Sequence, residues 1–347
     1  MGFIDIEIKG FRSIEMLKVE NFKQVNLFVG KNNSGKTTLL ESIFILSGAT
    51  NPRLPLSTNG LRDYRKLGED DFILLFNGLA HDKKITVKGL ESDNATNRTL
   101  TISPILVENI EQNELTSNVS REIKGLTLDY DFKKHHKSNV KIQTKLEVKD
   151  KSVEVEDVQR AGYTENISCM FLNTKVMLQD LAERVSEIIK AKQKQKIISI
   201  LQKLEPAISD IHTEDDIVYF DIGMERFIPL NMAGDGMKRI LSIITAIFRL
   251  KNGILLIDEV DNGLHYSTQE TLWKAVILSA QEFKVQVFAT THSNECIQAL
   301  SNVTTNDFKG QDIASLYRVE KHKTGHKIHF VNQELLLTAI ENNFELR

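Results

Sequence analysis

Eight residues, Gly30-Lys-Asn-Asn-Ser-Gly35-Lys36-Thr37, constrain this chain more than any other stretch of its sequence. They follow an apolar run (Val25, Leu27, Phe28, Val29) and open an apolar-periodic segment (Leu39, Leu40, Ile43, Phe44, Leu46). The spacing predicts a strand, a glycine loop and a helix, the setting in which G-x-x-x-x-G-K-[ST] cradles phosphate. The glycines let the backbone coil so that successive N–H groups point inward at an anion. Lys36 supplies a mobile charge for the β- and γ-phosphates, and the Thr37 hydroxyl is a hard oxygen ligand for Mg²⁺. A chance match in a glycine-bearing loop is the alternative, and the flanking strand and helix argue against it.

At 347 residues the chain can bury a large core in one elaborate domain or two simple ones. A net charge of −3 gives no global drive toward nucleic acid, although it leaves room for a local basic groove. The two cysteines, Cys169 and Cys296, form neither a metal spacing nor a disulfide framework, which fits a reducing cytoplasm. No apolar run approaches the ~20 residues that cross a bilayer, so no membrane role is expected. The first residues alternate (Ile4, Ile6, Ile8 against Asp5, Glu7, Lys9) as a half-buried strand, unlike a signal peptide.

After the first helix, residues 51–70 carry Pro52, Pro55, Gly60 and Gly68 and read as an irregular connection. From about 72 to 170 the apolar period is two, as in Leu126, Leu128, Tyr130, Phe132 and in Val140, Ile142, Leu146, Val148. This predicts an antiparallel sheet with one wet face. Residues 175–205 change to a helical period from Val176 and Leu178 through Leu201, with a solvated face at Lys190–Lys196. A hairpin is expected around Gly223, an apolar helix over Met237–Leu250, a central parallel strand at Ile254–Ile257 and a second at Val285–Ala289. A hairpin (Leu316–Val319 with Lys327–Phe330) and a short helix close the chain.

The Ile254–Ile257 strand delivers Asp258 and Glu259 at its carboxyl end, where ligands of open α/β sheets lie. Asp258 is positioned to hold Mg²⁺ with Thr37, and Glu259 to polarise the attacking water as general base. The bland alternative is an acidic pair capping a strand. The Val285–Ala289 strand leads to His292, read as a sensor of the γ-phosphate that holds the water in line. His322, His326 and His329, in a lysine-rich hairpin, read as exposed surface, and so do His135 and His136. Before the apolar helix stands Asn231-Met-Ala-Gly234-Asp235-Gly236-Met237-Lys-Arg, whose two glycines around an acid make a second anion-receptive helix start.

The order of phosphate loop, Gly-Asp-Gly-Met-Lys-Arg helix, Ile-Asp-Glu-Val, Asp-Asn-Gly-Leu-His and Thr-Thr-His-Ser resembles an ABC-type ATPase head. More narrowly it resembles the OLD-like ATPases of prokaryotic anti-phage defence, over essentially the whole chain including Gly10-Phe-Arg-Ser13. The resemblance implies an α/β fold, an ABC-ATPase (P-loop NTPase) head with a mixed central sheet, an inserted antiparallel β-subdomain and a helical subdomain. Residues 1–347 would form one domain, with 1–50 and 231–347 as nucleotide-binding core, 72–170 as the β insertion and 175–210 as the helical part.

It further implies ATP and Mg²⁺ as cofactors, with ATP held by Gly30, Lys31, Asn32, Asn33, Ser34, Gly35, Lys36, Thr37 and Thr38. Ala233, Gly234, Asp235 and Gly236 would form a signature acting on a second subunit's nucleotide, and Asn262, Gly263 and Leu264 the D-loop. Two heads would then pack head to tail around ATP, so that nucleotide state becomes assembly state. Full-length OLD nucleases carry a further Toprim domain, and the residues after His292 are too few for one. The expectation is therefore an ATPase without its own nuclease activity, controlling a separate effector, a Toprim-like nuclease or toxin. A RecF-like or SMC-like ATPase that clamps DNA, and a nucleotide-gated scaffold, are the competing readings. Gln143, Gln159 and Gln179 are the candidates for a Q-loop glutamine.

Overall fold

The computed structural model describes residues 2–331 apart from 63, 65–68, 81, 93–95, 114–115, 135–138, 150–151, 158–166, 175 and 323–324. Strands β1 (Phe3–Phe11) and β2 (Ile14–Glu20) pair antiparallel; β3 (Val25–Val29) then runs into the phosphate loop and helix α1 (Lys36–Ser47). Where the prolines and glycines predict an irregular connection, the chain instead forms α2 (Leu54–Leu61) and α3 (Glu69–Ile73). Pro55 stands in the first turn of α2, where a missing N–H has no helical partner to lose.

The period-two segment supplies β4 (Ile85–Glu91), β5 (Thr96–Asn113), β6 (Thr116–Lys134), β7 (Val140–Lys149) and β8 (Ser152–Asp157). These strands extend the sheet begun by β1 and β2, in the order β2-β1-β4-β5-β6-β7-β8, all antiparallel. Ile8 of β1 stands opposite Val87 of β4, so the segment is fastened to the amino-terminal strands rather than standing alone.

The remaining elements are β9 (Cys169–Leu172), α4 (Leu181–Lys190), α5 (Lys194–Gln202), β10 (Asp210–Glu214), β11 (Ile217–Asp221) and β12 (Ile228–Pro229). They continue with α6 (Asp235–Arg249), β13 (Ile254–Ile257), α7 (Gln269–Phe283), β14 (Gln286–Thr290), α8 (Asn294–Asn306), β15 (Ala314–His322) and β16 (Gly325–Val331). The core sheet has the order β16-β15-β3-β14-β13-β9, parallel throughout except for β16 at its edge. Strands β10, β11 and β12 form a small third sheet. Helix α4 starts later than the apolar period suggests, because Asp180 takes a left-handed φ of 54° and leaves Leu178 on the surface. The short helix expected at the carboxyl end lies outside the described residues, as do His135 and His136.

Both faces of the core sheet are covered, and its strands alternate between two cores. Leu27, Val29, Leu255, Ile257, Val287 and Ala289 pack toward α6, α7 and α8, while Phe28, Leu256 and Phe288 pack toward α1 and the antiparallel sheet. This double burial explains why β13 reads as an unbroken aliphatic run. Helix α1 is sandwiched between the two large sheets and buried on nearly every side, including Glu41 and Ser42. Its amino terminus, with the phosphate loop, is thereby fixed at the carboxyl ends of β3, β14 and β13. Among the described residues no helix is long and apolar enough to cross a membrane.

Candidate nucleotide site

Two glycines shape the loop between β3 and α1. Gly30 has φ +146°, and a Cβ there would lie 2.3 Å from the Val319 carbonyl; Gly35, at φ +101°, precedes α1 without any side-chain cap. No acid occupies the first turn of α1, so its leading N–H groups remain available to an anion. The buried Ser34 Oγ also has no hydrogen-bond partner among the described residues. Lys31, Asn32 and Asn33 are exposed along the rim, whereas Ser34, Lys36 and Thr38 are buried.

The side chains that read as chemical converge here. Lys36 folds back on its own loop, donating to the carbonyls of Gly30 (2.8 Å) and Lys31 (3.0 Å). Burial pulls its ammonium down from 10.5 to about 8, against the opposing pull of Asp258 and Glu259. Thr37 Oγ1 donates to the Asp258 carboxylate (3.0 and 3.2 Å), and Thr290 Oγ1 donates to the same group at 2.6 Å. His292 Nδ1 lies 3.1 Å from the Gly30 carbonyl and 3.4 Å from Lys36 Nζ; the first contact is a bond when Nδ1 carries the proton. Glu259 adopts a left-handed φ of 53°, and its exposed carboxylate accepts from Asn262 Nδ2 at 3.0 Å.

The donor set suits a Mg²⁺-bound triphosphate. A hydroxyl and a carboxylate side by side are hard oxygen ligands, and Mg²⁺ binds through one or two such groups plus phosphates and water rather than an all-protein cage. No cluster of three or more His, Cys, Asp or Glu suited to a metal occurs among the described residues. Burial pushes both thiols, Cys169 and Cys296, up to about 12, so neither serves as a nucleophile.

The Gly-Asp-Gly segment stands apart. Ala233, Gly234 and Asp235 are exposed at the start of α6, and no atom lies within 4 Å of where a Cβ on Gly234 would be. Among the described residues no hydrogen bond or ion pair joins Ala233–Gly236 to the phosphate loop. The segment does neighbour the D-loop stretch: a Cβ on Gly236 would lie 3.8 Å from Leu264. Asn262 and Gly263 are exposed, and Leu264 packs against the core.

Several residues that sequence reasoning passed over belong to the same neighbourhood. Glu41, fully buried on α1, pairs with Arg12 (2.9 Å) and Arg62 (2.7 Å), and Arg62 also donates to Thr38 Oγ1 at 3.2 Å. Arg12 lies in the Gly10-Phe-Arg-Ser13 opening, whereas Arg62 comes from the stretch read as irregular. Arg239 of α6 donates to the carbonyls of Glu259 (2.5 Å), Val260 (2.9 Å) and Asn262 (2.5 Å), tying the signature helix to the loop after β13.

Of the glutamines proposed for a Q-loop, neither Gln143 nor Gln179 stands at a core strand's carboxyl end. Gln143 lies on β7 bonded to Asp129, Gln159 is outside the described residues, and Gln179 is exposed several residues after β9. Because Ile257 pairs with Leu172, the residue beside Asp258 is Asn173, whose Oδ1 accepts from the Val176 N–H. The missed signal was Cys169–Leu172, too short a strand to stand out. His326 is another correction: its ring is half-buried and packs 3.2 Å from the position of a Gly35 Cβ, both nitrogens without a partner among the described residues, rather than lying on the surface.

Residues 25–297 match the family described as "AAA domain, putative AbiEii toxin, Type IV TA system". An ATP/GTP phosphatase of Helicobacter pylori is 24% identical over 335 residues, which cover 86% of this chain and 87% of that protein. A RecF DNA replication and repair protein of Heliobacterium modesticaldum is 50% identical over only 48 residues, 14% of this chain and 13% of RecF. Two solved Smc heads share the fold at 13% identity and TM-score 0.50. One, bound to the C-winged helix domain of ScpA, is matched over 99% of its length and 96% of this chain. The other, derived from Pyrococcus furiosus with an extended coiled coil, is matched over 100% and 99% respectively. The fold is that of an ABC-type ATPase head, and the chain belongs to the AAA-domain ATPases described as putative AbiEii toxins of type IV toxin–antitoxin systems.

Proposed function

We propose that this chain binds Mg·ATP and hydrolyses it in a head-to-tail pair of subunits, and that nucleotide state governs a separately encoded effector in anti-phage defence. The observation that carries this reading is the division of the site. Cradle, metal ligands and candidate base converge at one place, while a glycine-rich helix start of the kind that grips anions stands bare elsewhere on the surface.

In this reading Gly30–Thr38 wrap the phosphates, and Lys36 leaves the Gly30 and Lys31 carbonyls for the β- and γ-oxygens. Thr37 and Asp258 would hold Mg²⁺, which would supply positive charge against the phosphates. Thr290 keeps the Asp258 carboxylate in place. Glu259 accepts a proton from the attacking water, and His292, anchored through Nδ1, leaves Nε2 to position that water or the γ-phosphate. Ala233–Gly236 supply the anion-binding helix start to the partner's nucleotide, with Asn262–Leu264 beside them. The AAA family's description as part of a toxin–antitoxin system supports a second component. The short RecF match favours DNA clamping as a second reading, which DNA-stimulated turnover would support.

Glu259→Gln tests the scheme. Turnover is expected to fall roughly a hundredfold or more, as loss of a general base does. Sedimentation with ATP should then show a stable pair, and co-expression with the neighbouring gene product should show which state retains it. Unchanged turnover contradicts the role of Glu259, and a monomer with ATP bound contradicts the pair.

A further inference from the structure

The β15–β16 hairpin rises beside the phosphate loop. Strand β15 pairs with β3 up to Arg318 opposite Val29, then continues through His322, four residues past the level at which β3 ends. At 3.3 Å per residue that is a projection of about 13 Å. The hairpin is seated against the loop by the Val319 carbonyl at Gly30 and the His326 ring at Gly35. Its single described acid, Glu320, is occupied by Arg318 (2.9 Å), His322 (3.0 Å) and His329 (3.7 Å). Lys321 and Lys327 are exposed and make no ion pair among the described residues.

The opposite charge stands beside the signature. The tight β10–β11 turn places Asp215 and Asp216 at φ 47° and 59°, both exposed and without an ion pair among the described residues. Asp216 borders a recess of about 380 Å³ together with Asp180, Glu183, Asn231 and Lys238. Asn231 and Lys238 flank Ala233–Gly236 in sequence, so this acidic rim adjoins the signature. Lys238, the cation in that recess, is already bound to Asp235.

A helix start that closes on another subunit's phosphate loop brings its own surroundings against whatever stands beside that loop. We infer that Lys321 and Lys327 of one copy dock on the Asp215–Asp216 rim of a second copy, one electrostatic clasp beside each nucleotide that sets the register of the pair. The inference rests on the head-to-tail reading. It adds a surface outside the chemical machinery, and paired charges of this kind govern orientation and partner choice.

Charge reversal tests it in the full chain carrying Glu259→Gln, by sedimentation with Mg·ATP. Lys321→Glu/Lys327→Glu and Asp215→Lys/Asp216→Lys should each weaken pairing roughly tenfold or more through like-charge contact, while each chain still binds ATP. Mixed in equal amounts, the two reversed chains present opposite charges at both clasps, and pairing should return to near the unreversed level. Reversed chains that pair like the parent, or a mixture no tighter than either chain alone, overturn the clasp and leave the head-to-tail reading intact. A parent chain that binds ATP yet stays monomeric overturns both.

Discussion

The phosphate-loop face and the signature face of this molecule are built on opposite principles. On the first, three charged groups are answered from within: Lys36 by loop carbonyls, Asp258 by Thr37 and Thr290, and Glu41 by two arginines. On the second, Gly234 faces open space, and Met232 is 80% exposed beside it. Both faces begin a helix with glycine and both can receive an anion, yet only one is finished inside the chain. In the head-to-tail reading proposed above, the two faces are complementary parts, one preorganised by a core and one left for another molecule to cover.

Stability should divide the faces first. Glu41→Ala strands Arg12 and Arg62 without their carboxylate, and removal of one partner from a buried ionic cluster costs about 3–5 kcal/mol. Asp235→Ala, at an exposed helix start, removes a favourable dipole contact and an exposed pair with Lys238, together worth about 0.5–1.5 kcal/mol. Urea unfolding of both variants measures the gap, and equal losses would erase the proposed distinction.

A smaller effect sharpens the phosphate side alone. In the free protein Lys36 is held down to about 8, below its ordinary 10.5, so between these values the unfolded chain carries more protons than the folded one. Its contribution therefore makes the empty protein more stable as pH rises from about 8 toward 10.5. Triphosphate needs the charged form and raises the lysine's pKa, so above about pH 8 binding takes up a proton and ATP affinity falls by up to about tenfold per pH unit. Calorimetry at pH 7 and 9 in buffers of different ionisation enthalpy reads both effects, and a pH-independent affinity without proton uptake contradicts the assignment.

The parts legible in the sequence were those whose chemistry and backbone demand fall on consecutive residues. Gly30–Thr37 carries its glycines, lysine and threonine in one run, and the aliphatic Ile254–Ile257 leads straight into Asp258-Glu259. Parts assembled across the chain were not legible. Arg12, Glu41 and Arg62 meet only because α1 lies between two sheets, and neither their spacing nor their types single them out. Arg239 stood in the sequence only as the end of the Gly-Asp-Gly-Met-Lys-Arg run, and its role as the tie on the Glu259 loop depends on that loop lying against α6. Asn173 was not legible because the strand that delivers it has only four residues. The region of α2 misled because proline and glycine suit a helix's ends as well as loops.

The central claim is that one working site takes parts from two copies, and mixing two crippled chains tests it most directly. Lys36→Ala removes the charge from the cradle. Gly236→Glu places a carboxylate at the start of α6, where a Cβ meets nothing closer than 3.6 Å and the acid suits the helix end, but repels a partner's phosphates. Alone, each should be inactive, the first through lost ATP binding and the second with binding retained. In an equal mixture half the pairs are hybrids with one intact site, so turnover should recover to roughly a quarter of the unmodified rate. A mixture as inactive as its components would contradict the account.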